Sequence, residues 1–234
     1  MADEPVTLEA RLEQSWRTNA FAWTRAVREE RIASRRAGTD AAIVDAVLRT
    51  RATRVLDVGC GEGWLARTLA LEGCDVVGVD ASPELVAEAN ELGGARFEIA
   101  TYAQLSERAR EWGLFDTAVC NFALLGEDLH TPLRALHDLL HAGGTLIVQT
   151  VHPWTACGDA PYVNGWRDET FADFGGDFRA SMPWYFRTLT AWTDAIGTAG
   201  FRIERWHEPL DAASGKPLSL LLHAVPVQAD SVAP

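Results

Sequence analysis

The run Val55-Leu56-Asp57-Val58-Gly59-Cys60-Gly61-Glu62-Gly63 constrains this chain more than any other. An apolar stretch ends in three alternate glycines, and a helix-forming segment, Trp64 to Glu72, follows at once. Glycines let the backbone turn sharply and approach a ligand closely, and a helix start leaves free N–H donors. The spacing predicts a buried strand, a tight loop open to a ligand, and a helix aimed at it. A second apolar run, Val76 to Asp80, ends in an acid 23 residues after Asp57. In a doubly wound sheet that is the place of a carboxylate accepting hydrogen bonds from a ribose diol.

The same rhythm runs through most of the chain. Residues 7 to 35 predict a helix with Trp16 and Trp23 on one face at i, i+7. Thr39 or Asp40 caps a second helix carrying Ile43, Val44, Val47 and Leu48. Ser82-Pro83 opens another helix, with Ser as N-cap and Pro at N1. Phe97 to Ala100, Phe115 to Asn121 and Thr145 to Thr150 predict a third, fourth and fifth strand, with a helix at Thr131 to His141 stopped by Gly143-Gly144. A helix at Thr188 to Thr198 leads to strands at Arg202 to Trp206 and Leu218 to Ala224. The connection between these last two is too short for a helical crossover, so they pair as an antiparallel hairpin. Strands alternating with helices of about ten residues predict an α/β fold: a doubly wound, mostly parallel, seven-stranded sheet with helices on both faces. Two units are expected, a helical cap at 1–38 and the sheet domain at 39–234, with an insertion after the fifth strand at about 152–186.

Charge narrows the functional classes. Formal net charge is −12, and there is no Lys/Arg run, which opposes direct binding of a phosphate backbone. Twenty of the 21 basic residues are Arg. No stretch approaches the roughly 18 apolar residues of a membrane span. Met1 to Glu13 is acidic and polar, unlike a secretory signal, and the four cysteines form no CxxC pair, so free thiols and a cytoplasmic location are expected. His137 and His141 stand at i, i+4 beside Asp138 without a third ligand at fixed spacing, so no metal is expected.

The glycine run matches the first two glycines of the dinucleotide fingerprint G-x-G-x-x-G, but Trp64 stands at the third. Its indole opposes the close helix–strand packing of that fingerprint. D-x-G-x-G-x-G instead resembles motif I of the class I S-adenosylmethionine-dependent methyltransferases. Asp80 after Val-Val-Gly-Val resembles that family's ribose-binding acid, Phe115 to Asn121 its fourth strand, and Leu140-His141-Ala142-Gly143-Gly144-Thr145-Leu146 the entry to its fifth. Ala199-Gly200-Phe201 resembles its C-terminal segment. The likeness covers 54–150 well and 187–224 in part. It implies a Rossmann-like sheet and S-adenosyl-L-methionine as cofactor, held by Asp57, Gly59, Cys60, Gly61, Gly63, Asp80, Ala81, Thr101, Tyr102, Asn121 and Phe122, with Arg35 reaching the donor's carboxylate. The family's frequent adenine-binding Asp is missing: the segment here is Ile99-Ala100-Thr101-Tyr102, leaving backbone or the Thr101 hydroxyl to serve.

Methyl transfer is an in-line displacement in which alignment and exclusion of water do most of the catalysis. A hydroxyl acceptor calls for a general base, and His152, just past the fifth strand, is the candidate catalytic group. A structural His capping the strand end is the competing reading. Ten of the 21 aromatic residues fall within 152–192. They predict a lid over the sheet's carboxyl edge that walls an apolar pocket. Trp154, Trp184, Tyr185 and Arg187 from this region, with Trp16 from the N-terminal helix, are the candidate substrate contacts. Arg187 either binds an acidic acceptor or pairs with Asp168, Asp173 or Asp177. The expected reaction is methyl transfer to O or N of a small aromatic or apolar acceptor. The alternatives are a protein methyltransferase, a catalytically silent cofactor binder, and an NAD-dependent oxidoreductase, which Trp64 opposes. No nucleic-acid or membrane partner is expected, and the sequence selects no oligomeric state.

Overall fold

The computed structural model describes residues 6–227; the ends of the expected cap and sheet domain, 1–5 and 228–234, lie outside the described residues. Strands β1 (Arg54–Val58), β2 (Asp75–Asp80), β3 (Arg96–Ile99), β4 (Phe115–Asn121) and β5 (Leu140–Val151) run parallel. The expected hairpin is present as β8 (Phe201–His207) and β9 (Ser219–Pro226), with β9 antiparallel to both β5 and β8. The order β3-β2-β1-β4-β5-β9-β8 makes the seven-stranded sheet read from the sequence. It switches direction between β1 and β4, where open α/β sheets bind ligands beyond their strand ends.

Each face of the sheet has its own core. Leu56, Val58, Val77 and Val79 point to one side, against Leu105 and Trp112 of α5 (Tyr102–Trp112), Leu133 and Leu136 of α6 (His130–Leu139), and Trp192 and Ile196 of α8 (Leu189–Thr198). Val55, Val76, Val119 and Ile147 point to the other, against Ile43 and Val47 of α2 (Asp40–Leu48), Leu65 and Leu69 of α3 (Trp64–Leu71), and Val86 of α4 (Pro83–Leu92). Central strands buried on both sides explain why their sequences are continuously apolar.

Four local differences from the expectation have physical causes. The first helix, α1 (Leu8–Arg28), stops seven residues earlier than its pattern suggests. Glu30 adopts φ 53°, and Glu30 N–H and Arg31 N–H bond back to Val27 and Ala26 carbonyls. That is a Schellman ending with Glu where Gly is usual, so no glycine marks the stop. α5 has a short apolar stripe and carries no sequence signal. β5 begins at Leu140, five residues early, because the ladder with β4 shifts between Phe115 and Thr117 and Gly143-Gly144 take up the irregularity rather than ending a helix. The insertion is built from α7 (Pro153–Cys157) and a hairpin of β6 (Gly165–Glu169) with β7 (Met182–Phe186).

The N-terminal helix packs against this hairpin, not against the sheet core. Leu12, Trp16 and Trp23 meet Phe171, Phe174, Phe178, Met182 and Trp184. Trp16 and Trp23 stack edge to face at 5.1 Å between ring centroids, as their i, i+7 spacing allows. Asn19, buried within that apolar face, clips the two pieces together. Its Oδ1 accepts from Arg179 N (2.8 Å) and Ala180 N (3.3 Å), and its Nδ2 donates to the Ala180 carbonyl (2.7 Å). Removing it strands several buried polar groups at once. Asn19→Ala should cost about 1–3 kcal/mol in urea denaturation and raise amide exchange at residues 179–180; unchanged exchange there would show that the clip is idle.

Candidate active site

The carboxyl ends of β1, β2 and β4 open into a cavity of about 780 Å³. The β1–α3 turn forms its floor. Gly59 N–H and Cys60 N–H donate to the Val79 carbonyl, and Gly63 N–H donates back to Cys60 O. Positive φ at Gly59, Gly61 and Gly63 folds the turn this tightly. A Cβ on Gly59 would collide with Ala123 beyond β4, and one on Gly63 would lie 2.6 Å from the Phe97 ring. Asp80 closes the arrangement: Oδ2 accepts from Gly61 N (2.9 Å) and Oδ1 from Ser82 N (2.8 Å). Burial pushes its carboxyl up, and the backbone N–H groups of Ser82, Gly61 and Ala81 oppose that shift. Each oxygen retains capacity for another donor.

Most expected cofactor residues share this one cavity. Gly59, Cys60, Gly61, Asp80 and Ala81 line it, as do Thr101, Tyr102, Asn121, Phe122 and Arg35. Several are braced by neighbours. Asn121 Oδ1 accepts from Gln149 Nε2 (2.9 Å), the Tyr102 hydroxyl donates to the Ala123 carbonyl (2.8 Å), and Thr101 Oγ1 bonds to Gln104 Oε1 (3.2 Å). Phe122 is held at φ 53°, its N–H donating to Gln149 O (2.7 Å). Such a conformation in a bulky residue costs about 1–3 kcal/mol and is typical of functional positions. Arg35 is fixed twice: its Nε donates to both Asp40 oxygens (2.8 and 3.0 Å), and its guanidinium lies over the Trp64 ring (4.3 Å).

Two expected cofactor residues stand behind the lining. Gly63 faces Phe97 and serves packing. Asp57 is 1% exposed on β1, and its Oδ2 has no partner among the described residues. Burial, reinforced by the charge of Asp80, raises its carboxyl to about 7.

The aromatic side of the cavity differs from expectation in four residues. Trp16 and Trp184 line it, together with Trp23, Phe171, Phe174 and Met182. Trp154 does not: α7 turns it outward, and it is 73% exposed. Tyr185 and Arg187 also lie outside the lining. Tyr185 N–H joins the Leu125 carbonyl, and the Arg187 guanidinium donates to the carbonyls of Tyr185, Gly126 and Glu127. Arg187 is 5% exposed and makes no ion pair with Asp168, Asp173 or Asp177; burial lowers its pKa to about 10. It fixes the loop after β4 instead of reaching a substrate. His152 is turned toward the hairpin side, its Nε2 2.7 Å from Glu208 Oε1, and is absent from the cavity wall that its neighbour Val151 joins. Its Nδ1 is buried and has no partner among the described residues.

Glu62 has no sequence signal beyond its place among the glycines. It is 1% exposed; Oε2 pairs with Arg28 (3.1 Å) and Arg67 (2.6 Å), while Oε1 has no partner among the described residues. Arg28 also pairs with Glu88 (3.1 Å), so the end of α1 is tied to the glycine turn and to α4.

Residues 55–144 match the family model described as "Methyltransferase domain". That stretch holds the glycine turn, Asp80 and β4, and over it the chain is similar to S-adenosylmethionine-dependent methyltransferases. Among curated relatives, the "Ubiquinone biosynthesis O-methyltransferase" of Xanthomonas euvesicatoria is 35% identical over 111 residues, 45% of this chain and 46% of that protein. The chain spans about half the length of the curated relatives it matches. A solved S-adenosylmethionine-dependent methyltransferase from Mesorhizobium loti is 27% identical, covering 74% of this chain and 90% of that one, at TM-score 0.55. The Burkholderia thailandensis 1,6-didemethyltoxoflavin-N1-methyltransferase shares the fold over 97% of this chain and 94% of its own at TM-score 0.67, with 22% identity. Among the described residues no helix is long and apolar enough to cross a membrane, and no cluster of His, Cys, Asp or Glu is arranged to hold a metal ion.

Asp57 makes the stability of the protein pH-dependent. Its folded carboxyl titrates near 7 and its unfolded one near the ordinary 3.8, so the native state binds the extra proton between those values. Stability therefore falls as pH rises from about 4 to 7 and levels off above. Between pH 5 and 8 the wild type should lose on the order of 2 kcal/mol relative to Asp57→Asn. Parallel pH profiles of thermal melting for the two proteins check this; superimposable slopes would refute it.

Proposed function

We propose that this chain transfers a methyl group from S-adenosyl-L-methionine to a small acceptor enclosed between α1 and the insertion. One observation carries the reading: the glycine turn and Asp80 share a single cavity with an aromatic wall. The residues present suit that donor. Asp80 retains acceptor capacity for a ribose diol, the glycine turn lets backbone approach, and Glu62 Oε1 in the lining is a buried carboxylate oxygen lacking a protein donor among the described residues. In this reading Arg35, which lines the cavity, takes the donor's carboxylate, and Thr101, Tyr102, Asn121 and Phe122 flank its base. The donor supplies a methyl group already activated by a sulfonium; the chain's residues bind, align and exclude water. Residues 6–38, the described part of the expected cap, close one side and 152–186 act as a lid, joined through Asn19.

The acceptor is flat and small enough to lie among Trp16, Trp23, Phe171 and Trp184. This agrees with relatives named for small molecules, a ubiquinone-pathway O-methyltransferase and the N1-methyltransferase with bound 1,6-didemethyltoxoflavin. The roofed cavity favours such a ligand over a protein side chain presented on a surface.

Isothermal titration should detect S-adenosylhomocysteine binding and no NAD binding; the reverse result would end the reading. Asp80→Ala should weaken that binding by about 1.5–3 kcal/mol, the scale of hydrogen bonds to a charged acceptor. Equal affinity would remove Asp80 from the donor site. Labelled methyl transfer across panels of phenols, carboxylates and amines then reports the acceptor.

A further inference from the structure

The aromatic wall and the glycine turn meet at one residue. Trp23 lines the cavity from α1, edge to face with Trp16 and, at 6.0 Å between ring centroids, with Phe174. Its Nε1 reaches the turn: it is the atom that a Cβ on Gly61 would meet, at 3.6 Å. An indole nitrogen only donates. Trp112 and Trp166 donate theirs to Glu98 (3.2 Å) and Glu127 (3.3 Å), whereas the Trp23 N–H has no acceptor among the described residues. A half-buried indole N–H normally finds one. A second unused donor stands at the same corner. Arg35 gives only its Nε to Asp40, so its two terminal nitrogens have no acceptor among the described residues. Its guanidinium lies over the Trp64 ring (4.3 Å), and Trp64 and Trp23 pack against the same small cluster of Ala26, Val27 and Ile32. Trp23, Gly61, Trp64 and Arg35 all line the cavity. Glu62, the acid of the turn itself, is matched in charge by Arg28 and Arg67.

We propose that Trp23 is a specificity-determining residue for the donor: its indole N–H and the free end of Arg35 together take the donor's α-carboxylate; this rests on the methyltransferase reading above. A carboxylate has two oxygens and lone pairs enough for both donors. The two supply different things. The guanidinium brings charge, partly offset by Asp40, and the indole brings a fixed direction without charge. Trp23 belongs to α1, which Arg28 ties to Glu62 and Asn19 ties to the lid. A carboxylate in this corner therefore adds a tie between the aromatic wall and the turn, where water has to be excluded. A donor without that group keeps the contacts of Asp80 and loses this one. The site thus discriminates between a sulfonium donor that carries an amino acid and the same donor after decarboxylation.

The test is isothermal titration with S-adenosylhomocysteine and with its decarboxylated form, S-adenosyl-3-thiopropylamine, which lacks only that group. The wild type should bind the first about tenfold or more tightly than the second. Trp23→Phe should weaken S-adenosylhomocysteine by about three- to tenfold and the decarboxylated form by less than about twofold. Equal loss for both compounds would make Trp23 a packing residue only, and an unchanged affinity for S-adenosylhomocysteine would leave its N–H without a role; either result overturns the proposal. Should Trp23→Phe fail to fold, indole 15N–1H spectra of the wild type read the same contact. One of the nine tryptophan N–H signals should move downfield with S-adenosylhomocysteine and stay in place with the decarboxylated form. Nine signals that respond alike to both compounds would overturn the proposal. Absence of S-adenosylhomocysteine binding by the wild type, measured first, would instead overturn the methyltransferase reading.

Discussion

The hydrogen bond from Gly61 N–H to Asp80 Oδ2 joins the ends of two neighbouring strands, and the rest of the site depends on it. β1 and β2 run parallel in register, Val58 beside Val79, so both deliver their chains to the same edge. The turn after β1 then has to curl over β2, and three residues with positive φ accomplish this. Glycine at 59 is required by the approach of Ala123, and at 63 by Phe97. One acid consequently has two tasks. Asp80 braces the turn with one lone pair on each oxygen and leaves the others for a ligand.

Everything above that floor is imported. α1 and the insertion lie far apart in sequence, yet they share one apolar cluster that buries Leu12, Phe171 and Met182. A polar clip fixes their relative position, because the apolar contact is not directional and the bonds of Asn19 are. Two more ties reach down from this roof: Arg28 to Glu62 in the glycine turn, and Arg187 to the loop after β4. Glycine turn and aromatic wall are therefore parts of one connected scaffold, and the distance between them is set by α1 as much as by the sheet.

The legible parts of the sequence are those where local chemistry and global fold demand the same residue. The alternation of strands and helices, the C-terminal hairpin, the glycine turn and Asp80 all follow from period and spacing. Illegibility has specific causes. Glu30 ends a helix that glycine normally ends; α5 buries too few residues to show a stripe; the β6–β7 hairpin hides among aromatics that serve packing and strand alike. Trp154 and Tyr185 illustrate the limit of composition: an aromatic cluster predicts a wall, but the direction of each ring depends on the backbone of α7 and β7. Arg187 and His152 mislead because a charged group near a strand end is equally suited to a ligand or to nearby carbonyls and carboxylates. Only three-dimensional contacts, with Gly126 and Glu127 for one and Glu208 for the other, decide between them.

The net charge of −12 by itself serves only to disfavour nucleic acid, and the fold gives part of it a location. Surface acids contribute little that is specific, because solvent and salt screen them. Glu9, Asp128 and Glu169 differ in that backbone N–H groups hold them, so they cannot swing away. Their field is nevertheless tempered: Asp128, like Glu13, stands in solvent, and the buried guanidinium of Arg187 lies in reach of Glu9 and Asp128.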